Sequence, residues 1–82
     1  MSRPAILQER EKTHGSFADN SRISQDIKRI MLLNRDKRPD YQNESLDMIA
    51  LKISRIISGQ HMTKDHWDDL AGYANLGAEA CE

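Results

Sequence analysis

Asp65, Asp68 and Asp69 fall close together near the C-terminus. On a helix, residues 65 and 69 share one face and residue 68 adjoins 65 at i+3, so the three carboxylates meet on one side. Mg²⁺ is commonly held by one or two protein carboxylates together with substrate phosphates and water. A neighbouring helix bringing Glu44 and Asp47 would therefore complete a metal site with Asp65 and Asp69. The chemistry open to it is metal-assisted attack of water on a phosphoanhydride, with Asp65, Asp69 and Lys52 as candidate catalytic groups. Lys52 and Arg55, at i and i+3, could meet a phosphate. Tyr73, four residues after Asp69, could stack on a base or donate to a phosphate. His14, near Lys12 and just before Gly15, could sit over the mouth of the same helix pair.

Each of these residues also has a plainer use. Lys52 and Arg55 can pair with Asp68 and Asp69 across a helix hairpin, Asp65 can complement a helix dipole, and Tyr73 can bury its ring with its hydroxyl on a carboxylate. His61 fits a loop and His66 an exposed first turn. Zinc is not expected, because no HxxxH or HExxH spacing exists and Cys81 is the single cysteine. That lone cysteine also precludes an intrachain disulfide and fits a reducing, cytoplasmic setting.

Positioning these groups requires helices, and the composition favours little else. The chain contains no valine and two threonines, and its eight isoleucines recur at helical spacing. With 82 residues, 38% hydrophobic and 30% charged, one small domain over residues 1–82 is expected. A core of this size supplies only about 3–5 kcal/mol, which makes a homodimer or larger assembly the expected state. No apolar run approaches the ~18 residues needed to span a bilayer. Net charge is −1, yet residues 1–41 carry nine Lys/Arg against six Asp/Glu and residues 42–82 carry three against seven. The basic group Lys28, Arg29, Arg35, Lys37 and Arg38 is interrupted by Asp26, Asp36 and Asp40. Specific DNA binding is not expected, since the 34–42 connection is too long for a helix-turn-helix.

The fold expected is all-α: a small bundle with a short N-terminal helix and three longer ones, the third and fourth antiparallel. The first helix can start at Pro4 and stop at Gly15. The second runs over about 16–34 from a capping box at Ser16 and Asp19, with Ile23, Ile27, Ile30 and Met31 on one face. Pro39 makes 34–42 a loop. A third helix, capped by Asp40 or Asn43, carries the stripe Leu46, Ile49, Ala50, Ile53, Ile56 and Ile57, with Gly59 supplying a left-handed terminus. Thr63 caps the fourth helix, whose stripe is Trp67, Leu70, Ala71, Ala74 and Ala78. Ala71, Gly72, Ala74 and Gly77 permit close helix approach.

The stretches EREKTHGSFADNSRIS (Glu9–Ser24), LDMIALKISRIISG (Leu46–Gly59) and KDHWDDLAGYANL (Lys64–Leu76) resemble a family of small uncharacterised proteins of tailed phages and prophages, over residues 8–78. That resemblance implies a helical fold and a phage accessory role in the host cytoplasm. More remotely, the third and fourth helices are similar in layout to the MazG-like all-α NTP pyrophosphohydrolases. Members of that superfamily hold Mg²⁺ with Glu-Glu-x-x-Glu on one helix and Glu-x-x-Asp, followed four residues on by an aromatic, on a later one. Glu44 and Asp47 answer the first motif, with Asn43 in place of the leading Glu. Asp69 and Tyr73 answer the second, with His66 in place of its Glu. The function these likenesses imply is nucleotide binding or hydrolysis with Mg²⁺. The alternative is a non-catalytic module docking on a host protein through its acidic fourth helix and basic loop.

Overall fold

A computed structural model describes residues 16–81, which form three helices and no strand. α1 spans Phe17–Ile30, α2 Asp40–Arg55 and α3 Lys64–Glu79. They correspond to the second, third and fourth predicted helices. The predicted Pro4–Gly15 helix and His14 lie outside the described residues.

Ser16 caps α1 as expected, its hydroxyl facing the Asp19 amide at 3.5 Å. The helix ends at Ile30 rather than near residue 34, because Asn34 turns left-handed (φ 58°) ahead of a 3₁₀ turn at Arg35–Lys37. Arg38 is extended (φ −101°, ψ 141°), the conformation that a following proline imposes. Pro39 itself takes the N-cap position of α2. Asn43 is therefore freed from capping and turns back on the connection. Its side chain accepts from Arg38 Nε at 2.9 Å and donates to the carbonyls of Arg35 (3.0 Å) and Arg38 (3.2 Å). Arg38 also donates to the carbonyls of Met31 (2.6 Å) and Leu33 (3.0 Å), so one guanidinium and one amide hold the whole turn.

α2 lies between the other two helices. Ser54 Oγ donates to Asn20 Oδ1 of α1 at 2.6 Å. Towards α3, Tyr41 donates to Glu79, Gln42 to the Gly77 carbonyl and Ser45 to the Tyr73 carbonyl. These contacts join early residues of α2 to late residues of α3, so the two helices run in opposite senses. Ile56–Gln60, a wide π-type turn, links them, with Gly59 at φ 129° in the left-handed role expected of it. Thr63 occupies the N-cap position of α3, but its hydroxyl is engaged with Gln60 Oε1 at 3.0 Å and caps nothing.

The innermost positions are small or polar rather than the predicted isoleucines. Ser54 is 0% exposed, and Ala50, Ser24, Asn43, Ser45, Lys52 and His66 are also buried. Because α2 has neighbours on two sides, short side chains at both seams let the backbones approach. A Cβ on Gly77 would stand 3.2 Å from Ser45 Oγ. The predicted stripe of α2 falls beside these seams: Leu46, Ile49, Ile53 and Ile56 are half-buried and Ile57 is exposed. On α3 the inward face is His66, Leu70, Tyr73 and Gly77, so Trp67 is displaced from the core. It is 51% exposed and donates its indole N–H to the His61 carbonyl at 2.8 Å.

Candidate functional site

The α2–α3 seam carries one buried cation. Lys52 lies in the C-terminal half of α2, and its ammonium reaches Asp69 Oδ2 of α3 at 2.9 Å, with side-chain exposures of 10% and 50%. Burying an ammonium costs several kcal/mol unless a partner and good geometry offset it. The four-carbon stem covers the helix seam while the charged tip meets the half-exposed carboxylate. The hydrogen bond from Lys52 holds the Asp69 carboxyl below its ordinary value of 3.8. Burial opposes that shift, and the charges of Lys52, His66 and Arg55 add to it.

Arg55 follows one turn after Lys52. Its Nε is buried and makes no hydrogen bond. A guanidinium presents five donors in a fixed fork suited to carboxylate or phosphate. His66 is 4% exposed, which corrects the expectation of an exposed first-turn histidine. It sits at i−4 from Leu70 on the inward face of α3, one turn before Asp69. The seam thus gathers Lys52, Arg55, His66 and Asp69. Of these, His66 was not among the predicted site residues. Its signal was the spacing 66, 70, 73, 77, which the more apolar Trp67–Leu70–Ala74–Ala78 pattern obscured.

The remaining candidates are dispersed. Asp47 pairs with Arg35 at 3.7 Å and Asp68 with Lys64 at 2.6 Å. Glu44 and Asp65 are exposed. Tyr73 is half-buried, and its carbonyl is taken by Ser45. Asp47 precedes Lys52 by five residues, about 7–8 Å along α2, so Glu44 and Asp47 lie towards the C-terminal end of α3 and away from Asp65 and Asp69. Among the described residues no group of three or more His, Cys, Asp or Glu is placed to hold a metal ion. The donor set therefore does not form a protein cage for Mg²⁺.

The Lys52–Asp69 pair has a pH consequence. A carboxyl held below its unfolded value contributes stability that is fully present above that value and is lost as pH falls through the folded one. Asp69→Asn should accordingly flatten the acid limb of the stability profile below about pH 4, as followed by urea unfolding across pH. An acid limb identical to that of the unsubstituted chain would remove Asp69 from the pair.

The protein defined by these elements is a small all-helical one, without a helix among the described residues long and apolar enough to cross a membrane. Its sequence matches the family Domain of unknown function (DUF6378) over residues 2–81, and the chain belongs to that family. No match was found among curated proteins or among solved structures.

Proposed function

We propose that this protein binds a phosphate-bearing ligand, a nucleotide foremost, at Lys52 and Arg55. The observation that carries this reading is an imbalance: Lys52 pairs with the one half-exposed carboxylate of Asp69, while Arg55, one turn further along α2, has no ion pair to it and keeps a buried Nε without an acceptor. Buried donors are normally satisfied, and an unmatched one marks a place where an acceptor belongs. A phosphoryl group supplies several acceptor oxygens to a Lys and an Arg at once. A nucleotide is preferred over other phosphates only on the remote sequence likeness of the helix pair to all-α NTP pyrophosphohydrolases, whose metal-binding motif the separated Glu44 and Asp47 do not reproduce. The tailed-phage likeness supports an accessory role in a host cell. Hydrolysis is the stronger form of the reading. Since the described residues form no cage, any Mg²⁺ at this site would arrive with the phosphates.

Thermal melting with each nucleoside triphosphate, and with inorganic pyrophosphate, tests the proposal. Stability should rise by about 2.7 kcal/mol when ligand stands a hundredfold above Kd. Unchanged midpoints with every nucleotide and with pyrophosphate would end it. Asp69→Asn then separates binding from metal use. If Asp69 is only the resident counter-ion, its loss frees Lys52 and strengthens Mg²⁺-free binding; if it holds a metal with the phosphates, Mg²⁺-dependent binding falls.

A second reading, a non-catalytic module that docks on a host protein, is favoured by Leu32, Leu33 and Met62, the last 85% exposed. It expects nucleotide-independent melting together with loss of a host partner on Leu33→Ser. Self-association into a homodimer is compatible with both readings.

A further inference from the structure

The contacts that seat α3 on α2 are unevenly shared between its two ends. Over the C-terminal half, three side chains of α2 reach across: Tyr41 to Glu79, Gln42 to the Gly77 carbonyl and Ser45 to the Tyr73 carbonyl. Towards the N-terminal end stands Lys52–Asp69, the one ion pair that joins α2 to α3 among the described residues. The turn leading into that end is loosely made. Gly59 sits at φ 129°, and the Thr63 hydroxyl is engaged with Gln60, so Thr63 gives the first amides of α3 no side-chain cap. Lys64, Asp65, Trp67 and Asp68 are exposed, and His66 is the buried residue of these first turns.

The two members of the ion pair are not equivalent. The Lys52 side chain is 10% exposed and that of Asp69 50%. A buried ammonium that loses its acceptor has little water to turn to, whereas a half-exposed carboxylate rehydrates readily. An incoming group with more negative charge and more acceptor oxygens than one carboxylate therefore takes the lysine, and it is the aspartate that leaves.

We infer that Asp69 is a built-in competitor for the cationic site, and that ligand binding loosens the N-terminal half of α3 by displacing it. A phosphate on Lys52 and Arg55 sends the Asp69 carboxylate into solvent. The ionic tie across the seam then breaks, and the first turns of α3, up to Asp69, open more often, as local opening follows the least tethered element. The Tyr73–Glu79 end stays clamped by Tyr41, Gln42 and Ser45. This inference rests on phosphate binding at Lys52 and Arg55 and adds a regulation to it. Affinity is held down by an internal anion, and occupancy is relayed to the turns that carry Trp67, whose indole is pinned to the His61 carbonyl.

Calorimetric titration of the full chain with inorganic pyrophosphate, without Mg²⁺, tests the competition, and amide exchange followed by NMR tests the opening. Asp69→Asn should bind pyrophosphate about fivefold more tightly or better, the scale of a partly exposed ion pair no longer in competition. Asp68→Asn takes the same charge from the same helix, but from Lys64 rather than Lys52, and should change affinity by less than about twofold. Amides of residues 64–70 should exchange faster by a similar factor of about five when pyrophosphate is bound, and in Asp69→Asn already without it. Those of residues 73–79 should keep their rates. Equal tightening by the two substitutions would reduce the effect to overall charge and overturn the inference. Weaker binding by Asp69→Asn, or exchange at 64–70 that is unchanged or slower in the bound chain, would overturn it while leaving phosphate binding in place. Failure of both the unsubstituted chain and Asp69→Asn to bind pyrophosphate would overturn the two together.

Discussion

Asn43→Ala should be among the most damaging single substitutions in the chain, lowering the unfolding free energy by roughly 2–3 kcal/mol. The buried Asn43 amide uses its oxygen on Arg38 Nε and its nitrogen on two carbonyls, those of Arg35 and Arg38. Alanine removes all three bonds and leaves the partners to find water in a turn closed by Arg38 on Met31 and Leu33. Each group left unsatisfied costs about 1–3 kcal/mol where buried and less where water can enter. A domain this small holds only about 3–5 kcal/mol in total, so the variant should melt at least 10 °C lower and approach half-unfolded at 37 °C. Urea unfolding with an unchanged slope would assign the loss to the native turn. Asn43→Asp should recover part of it, since a carboxylate still accepts from Arg38 but donates to neither carbonyl. A midpoint within a degree of the original would mean that Pro39 and Asn34 fix the turn unaided.

Lys52→Met should have the opposite profile, with ligand response lost and folding spared. The ammonium is the costly member of the Lys52–Asp69 pair because it is the buried one, whereas Asp69 is half-exposed and can rehydrate. Replacing a buried charge by an apolar chain of similar length is often neutral or stabilising. Affinity for phosphate, however, should fall at least about tenfold with the loss of a charge-assisted bond worth roughly 1.5–3 kcal/mol. Melting with and without nucleotide reads both quantities in one series. A large drop in the ligand-free midpoint would make Lys52 a structural cation and remove the strongest support for binding. Such a division, in which stability improves as function disappears, is the usual mark of a group retained for its chemistry.

The sequence was most legible where backbone chemistry dominates. Ser16, Gly59 and Thr63 marked helix limits well, because a cap position and a left-handed residue are local facts, although the Thr63 hydroxyl caps nothing and Pro39 takes the N-cap place expected of Asp40 or Asn43. It was less legible where a helix has two neighbours. The isoleucine stripe of α2 correctly indicated a helix but incorrectly indicated which residues lie deepest. Ser45, Lys52 and Ser54 lie inside because seams between close backbones select short or slender side chains, and hydrophobicity alone does not register this. The same blindness hid His66 and over-valued Trp67. The pairing of Lys52 with an acid of α3 was readable from the i, i+3 spacing with Arg55. The separation of Glu44 and Asp47 from Asp65 and Asp69 was not, since it depends on helix register rather than on composition.

The serine-lined seams carry a thermal consequence. Heat-capacity increments on unfolding come chiefly from hydrocarbon newly exposed to water, and polar exposure subtracts from them. A chain whose deepest positions, Ala50 and His66 apart, are hydroxyls, an amide and an ammonium should therefore have a flatter stability curve than one with a hydrocarbon core of the same size. Steeper temperature dependence would enter only if Leu46 and Ile49 were covered further.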